Sequence, residues 1–128
     1  MHKRILLHLF FMILYSEGKK CQALHYMLTR AKKEMNDFYP RYKIGALTTR
    51  KKQKYETLNQ AITKITAELQ STQDAILNSN EFKNLCKWDQ QIYCAYFFDC
   101  LSYVDIAQKF SLDSTNIHRF IRDFSIPF

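Results

Sequence analysis

Glycine and proline are nearly missing from this chain, and their scarcity decides most of what it can fold into. Gly18, Gly45, Pro40 and Pro127 are all that 128 residues contain. An average domain of that length holds about nine glycines and six prolines. All-β folds need many Gly/Pro turns, so a sandwich or barrel is disfavoured. Phosphate-cradling and dinucleotide-binding loops need clustered glycines, and none are clustered here. Eleven isoleucines against the single Val104 leave few β-branched runs. The expectation is an all-α helical bundle with short loops.

Hydrophobic spacing divides the chain. Residues 5–15 are almost wholly apolar and follow a basic start, as in a signal peptide. No small-x-small cleavage site follows, and spanning a bilayer takes about 20 residues. A buried helix over about 3–16, ended by Gly18, is the reading taken; a targeting or membrane segment is the alternative. Residues 20–39 carry an apolar stripe of Leu24, Met27, Leu28, Ala31, Met35 and Phe38, with Pro40 as the stop. After a loop at 40–47, Thr48 or Thr49 can cap a long central helix running to about Asn78. Leu58, Ile62, Ile65, Leu69, Thr72 and Ile76 form a heptad seam along it. The seam packs within the chain or pairs with a second copy as a homodimer. Asn78, Ser79 and Asn80 break the pattern. The expected division is a helical region, 1–79, and a second domain, 80–128, with Leu85, Cys86, Ile92, Ala95 and Tyr96 on an apolar helix face.

Charge is unevenly shared. The net +7 resolves into +10 over residues 1–64 and −3 over residues 65–128. Basic excess favours polyanions. Arg41, Lys43, Arg50, Lys51, Lys52 and Lys54 place six cations within fourteen residues. Four of them crowd a helix start, where positive charge opposes the macrodipole, so stability does not explain them. A phosphate or other polyanion partner does, with Tyr42 and Tyr55 beside the cluster.

Residues 101–122 form the most specific pattern. Ser102 can cap a short helix, and Asp113 or Ser111 a second, with three residues between. Ala107 suits the close crossing, and Ile106, Phe110, Leu112, Ile117 and Phe120 converge on one small core. That is the design of a helix-turn-helix. The run from Trp88 to Arg122 resembles the helix-turn-helix of sigma factor region four and of small sigma-like phage and mobile-element regulators. It carries Leu101-Ser102-Tyr103-Val104-Asp105-Ile106-Ala107 and then Ser114-Thr115-Asn116-Ile117. Ser111 stands at the turn position where that family holds glycine, a site that prefers φ > 0.

The resemblance implies a small transcription regulator that binds double-stranded DNA. Ser114, Thr115, Asn116, His118, Arg119 and Arg122 would read bases, and Ser102 and Lys109 would join the basic segment on phosphates. RNA polymerase or another protein is a further partner in this reading. The rival is a protein-binding inhibitor or adaptor, for example a phage inhibitor of a host enzyme or nuclease, that keeps the helix-turn-helix as scaffold.

No catalytic constellation stands out among His2, His8, His25 and His118, so the chain is read as not an enzyme. No cofactor and no metal is expected. Cys21 and His25 share a helix face, but two ligands do not make a structural zinc site. Four reduced, mostly buried thiols, Cys21, Cys86, Cys94 and Cys100, fit a cytoplasmic protein without membrane attachment.

Overall fold

The computed structural model describes residues 2–43 and 49–125, with side chains described for 9–37 and 49–123. Every regular element among them is a helix: α1 (His2–Lys43), α2 (Thr49–Leu77), α3 (Asn80–Lys83), α4 (Lys87–Tyr93), α5 (Tyr103–Phe110) and α6 (Ser114–Ser125). A π-helical turn, Cys94–Phe98, extends α4. The protein is all-α. No described helix is long and apolar enough to cross a membrane.

Two expected helices prove to be one. Neither Gly18 nor Pro40 ends α1, which runs unbroken from His2 to Lys43. Gly18 is buried, and a Cβ built on it would lie 2.5 Å from Cδ1 of Phe97. The glycine therefore serves close packing against a ring, and its neighbours carry the helix past it. At Pro40 one backbone hydrogen bond is lost, a cost of about 3 kcal/mol that a long, already nucleated helix absorbs. The expected cap Thr48 and most of the expected loop, residues 44–47, lie outside the described residues.

The chain divides into two compact units, one of residues 23–71 and one of residues 1–22 with 72–128. This cut differs from the expected one after residue 79. In the first unit Leu24, Leu28 and Leu69 are buried, with Ala31, Met35, Leu58, Ile62 and Ile65 half-buried. Met27, expected on the stripe, is 50 % exposed. The seam positions Leu58, Ile62, Ile65 and Leu69 thus face inward in this unit, while Thr72 and Ile76 are buried in the other. Thr57, Thr63 and Thr66 sit on exposed positions and donate to the carbonyls of Gln53, Asn59 and Ile62, at 2.9, 3.1 and 2.7 Å. Such bonding to the preceding turn lets a helix tolerate threonine.

The other unit is built on aromatic side chains. Tyr93 and Phe97 are fully buried, with ring centroids 4.5 Å apart. The Tyr93 hydroxyl donates to the Leu14 carbonyl at 2.6 Å, and Gln22 Nε2 donates to the Tyr96 carbonyl at 3.1 Å. These bonds tie the first half of α1 to the end of α4 and to the π turn. Ser79 caps α3 by accepting from the Phe82 amide at 3.2 Å.

Towards the C-terminus, Ile92, Ala95, Ile106, Ala107 and Ile117 form a buried cluster, flanked by Tyr96, Leu101, Tyr103, Phe110, Leu112 and Phe120. All five apolar positions expected to converge do so, and Ala107 is buried in the same cluster. Ser102 caps α5 by accepting from the Asp105 amide at 3.2 Å, and Asp113 Oδ1 accepts from the Thr115 amide at 3.0 Å. Ser111 ends α5 with φ 54° and ψ 44°, the left-handed conformation expected there. Cys86 is exposed, contrary to its expected place on an apolar face. Of the four thiols only Cys21 is fully buried, Cys94 is half-buried, and Cys100 is exposed at φ 56°.

Candidate functional site

The end of α2, α3, α4, the π turn and α5 leave a cleft of about 540 Å³ between them. Leu77, Phe82, Ala95 and Phe110 supply apolar wall. Lys87, Lys109 and Asp99 supply charge around it, and Cys94 and Gln90 line it as well. A volume of that size with apolar walls and a few polar groups suits a small organic molecule.

Local structure explains how these side chains meet. Ser79 restarts the chain as α3 and so turns Phe82 inward, where it is buried and its ring packs edge-on to Tyr93 at 5.6 Å. Gln90 Nε2 donates to the carbonyls of Phe82 and Leu85, both at 3.1 Å, and holds α4 to the end of α3. The π turn shifts the helical register so that Ala95 and Cys94 reach the cleft while Tyr93 and Phe97 stay in the core. Such turns recur at functional sites. Trp88 packs edge-on to Phe110, with centroids 5.3 Å apart, while remaining 44 % exposed.

The thiol that lines the cleft is held neutral. Burial pushes the Cys94 thiol up to about 11, with a contribution from Asp99. At neutral pH it is a thiol and a poor nucleophile. Lys109 Nζ lies 5.6 Å from the centroid of the Phe110 ring, a cation–π contact that keeps its charge at the apolar wall. Among the described residues no group of three His, Cys, Asp or Glu is placed to hold a metal.

The six residues expected to read bases share one helix, while the expected phosphate contacts are spread over several elements. Ser114, Thr115, Asn116, His118, Arg119 and Arg122 are all exposed on α6. Ser114, Thr115 and His118 border a shallow depression with Tyr103 and Val104. His118 packs edge-on to Tyr103 at 5.1 Å. Ser102 is used as a helix cap, and Lys109 belongs to the apolar cleft. Arg50, Lys51, Lys52 and Lys54 are exposed at the start of α2, in the unit of residues 23–71. The side chains of Arg41 and Lys43 lie outside the described residues.

Sequence reasoning missed Leu77, Phe82, Lys87, Gln90, Cys94 and Asp99 as cleft residues. No motif joins them, because they come from separate elements. The one available signal was the aromatic density of residues 93–98, too many rings for one helix face.

Comparison with known proteins places the chain elsewhere than the expected regulators. A family model described as insect allergen related repeat, nitrile-specifier detoxification, matches residues 12–91. No curated protein and no solved structure matches. The expected kinship with sigma factor region four, and with it the roles of transcription regulator, phage-type DNA binder and phage inhibitor or adaptor, is overturned by this match. The physical reason lies in what the C-terminal pattern reports. Ile106, Ala107 and Ile117 are buried together with Leu112 packed against them, a matter of local helix packing whatever the surface does. A fold pattern does not carry a ligand with it. The matched stretch covers well over half of the 128 residues, and the chain belongs to the insect allergen-related repeat family.

Proposed function

We propose that this chain binds a small, largely apolar organic molecule, acting within the nitrile-specifier detoxification by which its family is described. The observation that carries the reading is the 540 Å³ cleft with Leu77, Phe82, Ala95 and Phe110 on its walls. Lys87, Lys109 and Asp99 around it give a bound molecule orientation at its polar end. The long α2 and the C-terminal α5–α6 pair, a helix-turn-helix in arrangement, serve here as scaffold. The reading assigns the chain binding and no bond-making step. The protonated Cys94 thiol supports that assignment, since the thiol lining the cleft is held in its unreactive form.

Trp88 is the only tryptophan, and its contact with Phe110 makes it a reporter for the cleft. Titration with a neutral arylalkyl nitrile should change Trp88 fluorescence saturably. Leu77 is 40 % exposed, so Leu77→Asp should leave the fold intact. That variant should weaken binding by about tenfold or more, from lost apolar contact and an added charge. A linear, non-saturating response, or equal affinity in the variant, would overturn the reading.

A further inference from the structure

A second, smaller cleft of about 190 Å³ lies on the same compact unit and has a different character. It is lined by Tyr15 and Lys19 of α1, Tyr96 of the π turn, Tyr103 of α5, and His118 and Arg122 of α6. Three phenols, an ammonium, a guanidinium and an imidazole meet there, and no acidic side chain among the described residues lines it. We propose that this cleft binds a small tetrahedral oxyanion, of the phosphate or sulfate class, through Lys19, Arg122 and the Tyr15 and Tyr96 hydroxyls.

The groups are held in place from several directions. Lys19 Nζ lies 5.4 Å from the Tyr15 ring centroid and 5.9 Å from that of Tyr96, so its position is set by two rings. Tyr96 and Tyr103 stack at 5.4 Å with an interplanar angle of 15°. Tyr103 in turn meets the His118 ring edge-on. The Tyr96 backbone is fixed by the bond from Gln22 Nε2. A hydrogen bond with Tyr96, helped by burial, pushes the Tyr103 hydroxyl up to about 12; its proton is engaged with Tyr96, which leaves the Tyr15 and Tyr96 hydroxyls as the phenolic donors for a ligand.

Chemistry selects the class of ligand. Charged and phenolic N–H and O–H donors converge, and charge-assisted bonds to oxyanion oxygens are the strong ones they can make. Guanidinium matches two oxygens of one tetrahedral anion at once. The volume is below the roughly 300 Å³ at which pockets for drug-sized molecules begin, so a single anionic group is the size that fits. The anion is either free or the head of a small ester whose remainder lies against the tyrosine rings.

The experiment is titration of the whole chain, followed by amide NMR, with inorganic phosphate and separately with phenyl phosphate, chloride holding ionic strength constant. Saturable shifts centred on residues 15–19, 96 and 118–122 are expected for at least one probe. Phenyl phosphate binding more tightly identifies an ester, and equal binding a free anion. Lys19→Met, at an exposed position, should weaken binding about tenfold, the loss of one charge-assisted bond. Lys32→Met, exposed in the other unit, should leave it unchanged. Absence of saturable shifts for both probes, or equal weakening by the two substitutions, overturns the proposal.

Discussion

A methyl group on Gly18 would overlap the ring of Phe97, with its carbon 2.5 Å from Cδ1. Phe97 cannot swing aside cheaply. It is fully buried, and the rings of Tyr15, Tyr93 and Tyr96 stand 6.1, 4.5 and 4.8 Å from it. Gly18→Ala therefore sets two effects against each other. Alanine improves helix propensity by about 1 kcal/mol. Overpacking a filled core costs about 1–3 kcal/mol. Because the clash is with a boxed ring, the second effect should win by about 1 kcal/mol, seen as a lower denaturant midpoint. A more stable variant would mean that Phe97 has room to move.

The misreading of Gly18 shows which parts of this structure were legible. Ser79, Ser102, Asp113 and Ser111 act through neighbours a few residues away, so their cap and turn roles could be read locally. The apolar periods of α2 and of the α5–α6 core were likewise local. Gly18 answers to a ring far along the chain, and a local rule could only treat it as a helix terminator. The cleft escaped for the same reason, since Leu77, Phe82, Cys94 and Phe110 share no spacing. The π turn escaped because its extra residue leaves no mark in a 3.6-residue pattern. The charge and the six outward residues of α6 were legible as surface, but a surface does not name its partner.

Thiol reactivity should follow the graded environments of the four cysteines. Cys86 is exposed and should be alkylated first. Cys100 is exposed too, but burial of its sulfur and the nearby Asp99 raise its pKa, so it should follow more slowly. Cys94 is half-buried and Cys21 buried, both with thiols pushed up to about 11. They should react last, Cys21 only on unfolding. Timed iodoacetamide labelling with peptide mass spectrometry checks the order. Early labelling of Cys21 would contradict its place in the core.

Those same thiols predict alkaline destabilisation. Burial, then Glu17, lifts Cys21 from its ordinary 9.0 to about 11, and Cys94 rises as far. Burial also drives Tyr93 well above its ordinary 10.0. Each raised group keeps its proton longer in the folded state than in the unfolded one. The unfolded chain therefore binds fewer protons above pH 9, and stability falls as pH rises. Thermal melts should be flat with respect to these groups below about pH 9 and drop between pH 9 and about 11. Cys94→Ala should make that drop shallower. An unchanged slope would show that Cys94 does not contribute.

Ser111 offers a route to a more stable protein. It closes α5 at φ 54°, where a side chain meets its own backbone. Left-handed geometry costs a residue with a Cβ about 1–2 kcal/mol, and glycine avoids that cost. Glycine also frees the unfolded chain, which takes back about 0.5–1 kcal/mol. The Ser111 amide donates to the Gln108 carbonyl at 3.4 Å, a bond glycine keeps, and the side chain is exposed. Ser111→Gly should therefore stabilise by about 0.5–1 kcal/mol, the balance of those two terms. Ser111→Val should destabilise more than either, since a β-branched residue is worst at positive φ. The two denaturant midpoints should bracket the parent, and a glycine variant no more stable than valine would remove strain at Ser111 from the account.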